Sequence, residues 1–200
     1  MKDMNNYLKI KQRFEIRIAG SGGQGIVLAG IILAEAAILE GRYVAQSQSY
    51  GPETRGGTST SEVIIGETEI EYPRAVELDL LVALTQEACD QNIPSLKKEG
   101  MVIIDSDLVQ KVFWGKVISL PFQQIAKGVG EERAINMAAL GAVVSFCPYL
   151  SQDSVAKAIR KRLPPSVLEA NLKAFEEALK LSHRIKTGLK PVDVKEEFEI

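Results

Sequence analysis

A run of glycines between an apolar strand and an apolar helix is the feature that most constrains this chain. The segment Gly20-Ser21-Gly22-Gly23-Gln24-Gly25 follows alternating apolar residues and precedes a long apolar run from Ile26 to Leu39. The alternation predicts a strand, and the long run predicts a buried helix. Glycines let the backbone turn tightly beside a ligand, and the N–H groups of a helix start attract anions. The sequence therefore predicts a site for a phosphate-bearing molecule, or a close backbone contact with a partner.

The glycine spacing fits the dinucleotide-binding pattern G-x-G-x-x-G through Gly20, Gly22 and Gly25. The full pattern also needs an acidic residue at the end of the second strand, where it holds a ribose hydroxyl. We place that strand at 42–46, and the polar residues that follow it include no acid. No Gly-Lys-Ser/Thr follows the turn, which disfavours a P-loop. Ordinary NAD binding is a minor alternative. A stronger alternative is a glycine turn that serves only the fold and binds no ligand.

The composition is that of an ordinary globular protein. The chain has 200 residues, of which 46% are hydrophobic and 25% are charged, with a net charge of −2. This favours one domain and predicts neither a nucleic-acid-binding surface nor a membrane span. Cys89 and Cys147 are the two cysteines, which are too few for a four-cysteine iron–sulfur cluster. Two lone thiols and a polar start without a signal peptide predict a cytoplasmic location.

Strands alternate with helices over the first 120 residues, which predicts an α/β fold with a mainly parallel, Rossmann-like sheet. Residues 13–47 have the pattern of strand, glycine turn, helix and strand. Residues 58–65 and 68–72 alternate polar and apolar across a Gly-Glu pair, which predicts an inserted β-hairpin at 58–72. Further strands are expected at 78–84, 101–104 and 116–120.

The pattern becomes helical after Pro121. One of these helices carries the small residues Ala138, Gly141 and Ala142, which permit close helix packing. We expect one domain over 1–200, made of an α/β core at 13–120, a helical C-terminal part at 121–187 and a polar tail at 188–200.

A second glycine-rich loop covers residues 48–57 and follows the predicted second strand. Because loops at the carboxyl ends of parallel strands share one edge of the sheet, the two loops are expected to meet. Arg55, flanked by Gly56 and Gly57, is suited to bind an anion, and Tyr50 offers a flat face and a hydroxyl. The alternative is a hairpin entry loop with solvent-facing hydroxyls. A long glycine-rich loop in a compact domain favours the functional interpretation.

Several acidic residues have simpler explanations than catalysis. Glu62 with Glu69 or Glu71 fits the solvated face of the predicted hairpin better than a pair of catalytic carboxylates. Asp105 and Asp107 end a strand on the same edge of the sheet as the first glycine loop, where capping of the next helix is the default. Metal ligation by these aspartates is the minor alternative.

The chain shows no complete catalytic set. His183 is the one histidine, and it is expected on the surface of the last helix. Asn136 lies in an apolar helix, where it is expected either to contact a loop or partner or to be exposed. A free-standing enzyme normally shows a nucleophile, a base or a metal site. This pattern favours a subunit that completes a site whose chemistry lies elsewhere.

Five segments of the sequence together resemble those of a known protein family. The chain resembles the gamma subunit of 2-oxoacid:ferredoxin oxidoreductases over about residues 13–185, most closely in the 2-oxoglutarate branch, with pyruvate second. The strongest signal is the Gly20–Gly25 turn paired with the segment Tyr50-Gly51-Pro52-Glu53-Thr54-Arg55-Gly56-Gly57. The other segments are Ile70–Pro73, Asp79–Leu84 and Asn136–Gly141.

The resemblance implies one subunit of a cytoplasmic complex that converts a 2-oxoacid, coenzyme A and oxidised ferredoxin into acyl-CoA, CO2 and reduced ferredoxin. It places thiamine diphosphate, Mg2+ and the iron–sulfur clusters on alpha and beta, and possibly delta, partner subunits. No cofactor is expected on this chain alone, and no catalytic residue or metal ligand. The gamma subunit is expected to cover the active-site entrance and to help form the coenzyme A passage. The residues carried over to that passage are Gly20, Gly22, Gly23, Gln24, Gly25, Tyr50, Arg55, Gly56 and Gly57.

Two alternatives remain open at this point. One is the small subunit of an indolepyruvate:ferredoxin oxidoreductase. The other is a free-standing nucleotide-binding protein that uses the same glycine loop, which would bind a nucleotide as an isolated chain.

Overall fold

A computed structural model describes residues 13–50 and 57–188. Its strands are β1 (Arg13–Ser21), β2 (Tyr43–Tyr50), β3 (Thr58–Gly66), β4 (Leu78–Ala83), β5 (Leu96–Asp105) and β6 (Val117–Leu120). Its α-helices are α1 (Ile26–Leu39), α2 (Gln86–Asn92), α3 (Phe122–Gly128), α4 (Ile135–Phe146), α5 (Gln152–Arg162) and α6 (Pro165–Gly188). Within this part of the chain, no helix is long and apolar enough to cross a membrane.

The strands form one sheet in the order β2-β3-β1-β4-β5-β6. The pairs β1–β4, β4–β5 and β5–β6 are parallel, whereas β3 is antiparallel to both β1 and β2. Five of these six strands therefore run in one direction, and β3 runs against them. The prediction of a mainly parallel sheet is confirmed.

The predicted hairpin at 58–72 is wrong. Residues 68–72 form no strand, and the antiparallel partners of β3 are β2 on one side and β1 on the other. Val63, Ile64 and Ile65 are fully buried, which agrees with the position of β3 inside the sheet. The three consecutive apolar residues 63–65 are the sequence signal for a strand inside the sheet. The alternation of polar and apolar residues over 58–72 was the misleading signal. The predicted second strand at 42–46 was also too short, because β2 continues to Tyr50 beside the hydroxyl-bearing start of β3.

The sheet separates two apolar clusters. Leu80 and Val82 of β4 face the larger cluster, which includes α1, α4 and α6, and Leu81 and Ala83 face a smaller cluster that includes α2. This two-sided burial explains the near-continuous apolar run of β4. Helix α1 is apolar on most sides because it packs on β3 with one face and on α5 with another.

The helical part packs on the sheet through α4 and α6. These helices share the larger apolar cluster with β1 and α1. Gly141 of α4 lies against the backbone of Phe175 and Leu179 in α6, where a Cβ atom would overlap the Phe175 carbonyl oxygen. The predicted close packing by small residues is therefore confirmed.

Candidate functional site

The two glycine-rich loops meet at the edge of the sheet where β1, β2, β4 and β5 end. The backbone N–H of Gly22 donates a hydrogen bond to the carbonyl oxygen of Gly57 at 3.2 Å, and Ser21 at the end of β1 pairs with Thr58 at the start of β3. Tyr50 ends β2 at the same edge, with 63% of its surface exposed. The predicted meeting of the loops is confirmed. We call the surface formed by Gly22, Gly23, Tyr50 and Gly57 the glycine edge.

The turn itself requires glycine at two positions. Gly23 has φ +93° and Gly25 has φ +70°, a region in which residues with a side chain are strained. Gly22 and Gly23 are exposed, and among the described residues no atom lies within 4 Å of a Cβ built at either one. The backbone of these two glycines is therefore open to a ligand or a partner.

Gln24 and Gly20 brace the turn from within. The Gln24 side chain accepts a hydrogen bond from the Ser21 N–H at 2.7 Å and donates one to the Leu84 carbonyl at 3.4 Å. Gly20 is a buried residue of β1, and a Cβ there would overlap the Gln24 amide oxygen. The missing side chain of Gly20 thus makes room for Gln24, and the assignment of Gly20 to the ligand passage stays a prediction. The Gln24 amide likewise serves the fold, and the predicted ligand contact of Gln24 stays a prediction.

Asn136 fixes the turn to the start of α4. Its side-chain amide donates a hydrogen bond to the Gly25 carbonyl at 3.1 Å, and its side-chain oxygen accepts one from the Met137 N–H at 2.9 Å. Asn136 is 3% exposed, and a Cβ at Gly25 would overlap its amide. Of the two expectations for Asn136, contact with a loop is confirmed.

Replacing Asn136 with aspartate is expected to lower the free energy of unfolding by about 1–3 kcal/mol, because a carboxylate has no proton to donate and is buried beside the Gly25 carbonyl. Asn136→Ala should cost less, because the Gly25 carbonyl keeps its bond from the Ala29 N–H at 3.0 Å. Urea unfolding of both variants measures the difference. An aspartate variant as stable as the wild type would contradict the proposed contact.

The hydroxyl-bearing run at the start of β3 does not simply face solvent. Ser59 and Ser61 are buried, and the Ser61 hydroxyl accepts a hydrogen bond from the Gln46 amide at 3.0 Å. Ser61 also lies against Gly30 of α1, where a Cβ would overlap the hydroxyl. This packing contact was not predicted. A single glycine inside an otherwise apolar helix is the signal that could have indicated it.

The acidic candidates are structural. Asp105 is fully buried and accepts hydrogen bonds from the backbone N–H groups of Asp107 at 2.8 Å, Leu108 at 3.0 Å and Gln123 at 2.7 Å. The capping interpretation of Asp105 is thus confirmed, because the carboxylate joins the end of β5 to the start of α3. Because both of its carboxylate oxygens already accept hydrogen bonds, Asp105 is poorly suited to hold a metal ion.

Glu62 is not on a solvated face, contrary to the prediction. One of its oxygens lies 2.6 Å from the Arg17 guanidinium, and the other accepts hydrogen bonds from the Ser47 hydroxyl at 3.1 Å and the Ala75 N–H at 3.2 Å. Arg17 also donates to Asn92 at 3.0 Å. Cross-strand pairing explains this network, since β3 lies between β1 and β2 and places Glu62 beside both Arg17 and Ser47.

The two cysteines are buried and unpaired. Burial raises the pKa of Cys89 to about 11 and that of Cys147 to about 12, so both remain protonated thiols near neutral pH, whereas metal ligation requires thiolate. Among residues 13–50 and 57–188, no group of three or more histidine, cysteine, aspartate or glutamate side chains could hold a metal ion. The described residues therefore do not fit an iron–sulfur cluster.

Neither thiol is expected to react with a disulfide reagent such as DTNB at pH 8 in the folded chain. The thiolate fraction at pH 8 is on the order of one in a thousand or less for such pKa values, and both sulfur atoms lie inside the protein. Both thiols should react once urea unfolds the chain. Rapid reaction of either thiol under native conditions would show that it is accessible and ionised.

Comparison with known proteins identifies the family of this chain. The family model described as pyruvate ferredoxin/flavodoxin oxidoreductase matches residues 15–181. The 2-oxoglutarate synthase subunit KorC of Methanocaldococcus jannaschii is 38% identical over an alignment of 186 residues. This alignment covers 90% of this chain and all of that relative.

Two solved structures are also similar. The gamma subunit of keto/oxoacid ferredoxin oxidoreductase from Geobacter sulfurreducens is 43% identical, with a TM-score of 0.75, over 84% of this chain and 98% of that one. The 2-oxoglutarate:ferredoxin oxidoreductase from Magnetococcus marinus, solved with 2-oxoglutarate, coenzyme A and succinyl-CoA bound, is 26% identical with a TM-score of 0.78. That match covers 92% of this chain but 32% of the longer Magnetococcus chain. This chain belongs to the pyruvate ferredoxin/flavodoxin oxidoreductase family, as a gamma-type subunit.

Proposed function

We propose that this chain is the gamma subunit of a cytoplasmic 2-oxoglutarate:ferredoxin oxidoreductase and that its glycine edge forms one wall of the coenzyme A passage. In the complete reaction, 2-oxoglutarate loses CO2, its acyl group joins the sulfur of coenzyme A, and the electrons pass to ferredoxin. The 2-oxoglutarate assignment rests on similarity to the KorC subunit and to the Magnetococcus enzyme. The proposed partners are alpha and beta, and possibly delta, subunits that carry thiamine diphosphate, Mg2+ and the iron–sulfur clusters.

The observation that carries the proposed role is the backbone at Gly22 and Gly23. It is exposed, no other described side chain crowds it, and buried contacts hold it in place. The Gly22–Gly57 hydrogen bond joins the two loops, and Asn136 and Gln24 fix the turn from inside. Such a surface lets a ligand approach the glycine backbone closely, and its described residues offer no evident acid, base or nucleophile. Its contribution to the reaction is therefore to orient coenzyme A and to shape its path.

The direct test is an anaerobic pull-down of the tagged full chain from its native host. The eluate should contain larger partner subunits and should reduce a viologen dye only when both 2-oxoglutarate and coenzyme A are present. A panel of 2-oxoacids, including pyruvate and indolepyruvate, identifies the substrate. A chain that elutes alone and binds a nucleotide would favour the free-standing nucleotide-binding protein instead.

Arg55, which lies outside the described residues, remains a predicted anion contact at the rim of the passage, together with Gly56. Arg55→Ala in the assembled complex is expected to raise the KM for coenzyme A about 10- to 100-fold, because a charge-assisted hydrogen bond contributes about 1.5–3 kcal/mol. The KM for the 2-oxoacid should not change. Arg74→Ala is the matched control, since Arg74 is exposed on the segment between β3 and β4 at the opposite edge of the sheet. An unchanged coenzyme A dependence in Arg55→Ala would remove Arg55 from the site.

A further inference from the structure

A cleft of about 560 Å3 lies between the ends of α4 and α6 and the start of α5. Val144 and Ser145 of α4 contribute to it, eight and nine residues beyond Asn136. A helix rises 1.5 Å per residue, so this cleft lies roughly 12 Å along α4 from Asn136, which holds the glycine turn. It is therefore a separate surface, which the proposed coenzyme A passage does not use.

Every ionisable side chain that lines the cleft is a lysine, an arginine or a histidine. Helix α6 contributes four side chains at intervals of three and four residues, the spacing that places side chains on one helix face. These are Lys180, His183, Arg184 and Thr187. No carboxylate of the described residues lines the cleft. Like charges converge there without a lining counter-charge, which raises the local positive potential.

The neutral part of the lining is suited to a small ligand. Val144 and Leu179 supply apolar surface, and Gln152 and Thr187 supply hydrogen-bonding groups beside it. The volume falls within the range of small-molecule pockets, which combine apolar surface with a few polar groups.

One cation of the cleft is held in place. The Lys186 ammonium group donates a hydrogen bond to the Ser145 carbonyl at 2.5 Å and lies 5.9 Å from the centre of the Phe146 ring. The Ser145 and Ser182 hydroxyls are hydrogen-bonded to each other at 2.7 Å in the interior. These contacts order the cleft wall around Lys186 before a ligand binds, which lowers the entropic cost of binding.

Lys180 and Arg184, in contrast, have no ion pair with a described carboxylate. Lys173, two turns earlier on α6, pairs with Glu169 at 3.0 Å, and Lys157 on α5 pairs with Asp153 at 2.7 Å. The planar fork of Arg184 and the ammonium of Lys180 are therefore available, and together they match the geometry and charge of a phosphate group.

We propose that this cleft binds a small organic phosphate carrying at least two negative charges, with Lys180 and Arg184 as its principal contacts. The concave shape and the apolar surface beside the cations favour a small molecule over an extended acidic polypeptide. The proposal does not rest on the function of the glycine edge.

The test is isothermal titration calorimetry of the full chain with sodium pyrophosphate at constant ionic strength. We expect saturable binding to one site, and at least a tenfold higher Kd in the double variant Lys180→Gln/Arg184→Gln. The control is Lys98→Gln/Lys111→Gln, because these lysines are exposed, do not line the cleft and change the net charge equally. The control variant should bind within twofold of the wild type.

Three results would overturn the proposal. Absence of saturable binding would exclude a phosphate site, and equal weakening of both double variants would attribute binding to net charge alone. Tighter binding of a hexaglutamate peptide than of pyrophosphate, lost in Lys180→Gln/Arg184→Gln, would replace the ligand class with an acidic polypeptide. Because the titration uses the isolated chain and no turnover, each result is independent of the proposed function.

Discussion

Replacing Gly22 with valine is expected to lower kcat/KM for coenzyme A in the assembled complex about 100-fold, which corresponds to about 3 kcal/mol of transition-state stabilisation. The expectation follows from the proposed passage, because the added side chain would stand on the exposed backbone of the glycine edge. Gly22 has no positive φ, and no atom of the described residues lies within 4 Å of its Cβ position. The fold should accept the substitution, with a free energy of unfolding within about 0.5 kcal/mol of the wild type.

Gly115→Val is the matched control for this experiment. Gly115 is also exposed, without a positive φ and without a described atom within 4 Å, but it precedes β6 at the opposite edge of the sheet. Gly23→Val is also expected to impair turnover, but its φ of +93° adds backbone strain to any steric block. Full coenzyme A-dependent activity in Gly22→Val would contradict the assignment of the glycine edge to the passage.

Replacing Gly141 with alanine is expected to lower the free energy of unfolding by at least about 2 kcal/mol, although alanine is the better helix former. The new Cβ would overlap the Phe175 carbonyl and lie 2.9 Å from the Leu179 nitrogen. Both are backbone atoms within a helix, so relief requires α6 to move as a unit. The midpoint of thermal unfolding should fall by at least roughly 4–8 °C for a chain of this size.

Gly128→Ala gives the opposite expectation and serves as the control. Gly128 ends α3, and no described atom lies within 4 Å of its Cβ position. Alanine there should leave stability unchanged or raise it by up to about 1 kcal/mol, because it restricts the unfolded chain. Urea unfolding of both variants measures the contrast. A Gly141→Ala variant as stable as Gly128→Ala would show that α4 and α6 do not pack this closely.

The glycine turn was predictable because its cause is local. A strand, a turn with positive φ at Gly23 and Gly25, and an apolar helix follow from the residue types themselves. The meeting of the two loops was also predictable, since the carboxyl ends of parallel strands share an edge. The Gly22–Gly57 hydrogen bond agrees with that rule.

The inward roles of Gly20 and Gln24 were not predictable from the pattern. The motif places them beside Gly22 and Gly23, but the contact of Gln24 with Leu84 joins residues 60 positions apart. The roles of Asn136 and Glu62 depend in the same way on partners distant in sequence. Hydrogen bonds of this kind follow from strand order and helix docking, not from residue spacing.

The sequence by itself determined the alternation of strands and helices, the site of the turn and the small residues that let α4 approach α6. Only the tertiary structure decided that β3 lies between β1 and β2, and that Ser61, Glu62 and Asn136 serve the fold. The physical reason is that periodicity reports which side chains avoid water. It does not report which strand supplies the neighbouring backbone hydrogen bonds, because backbone N–H and C=O groups are the same at every residue except proline.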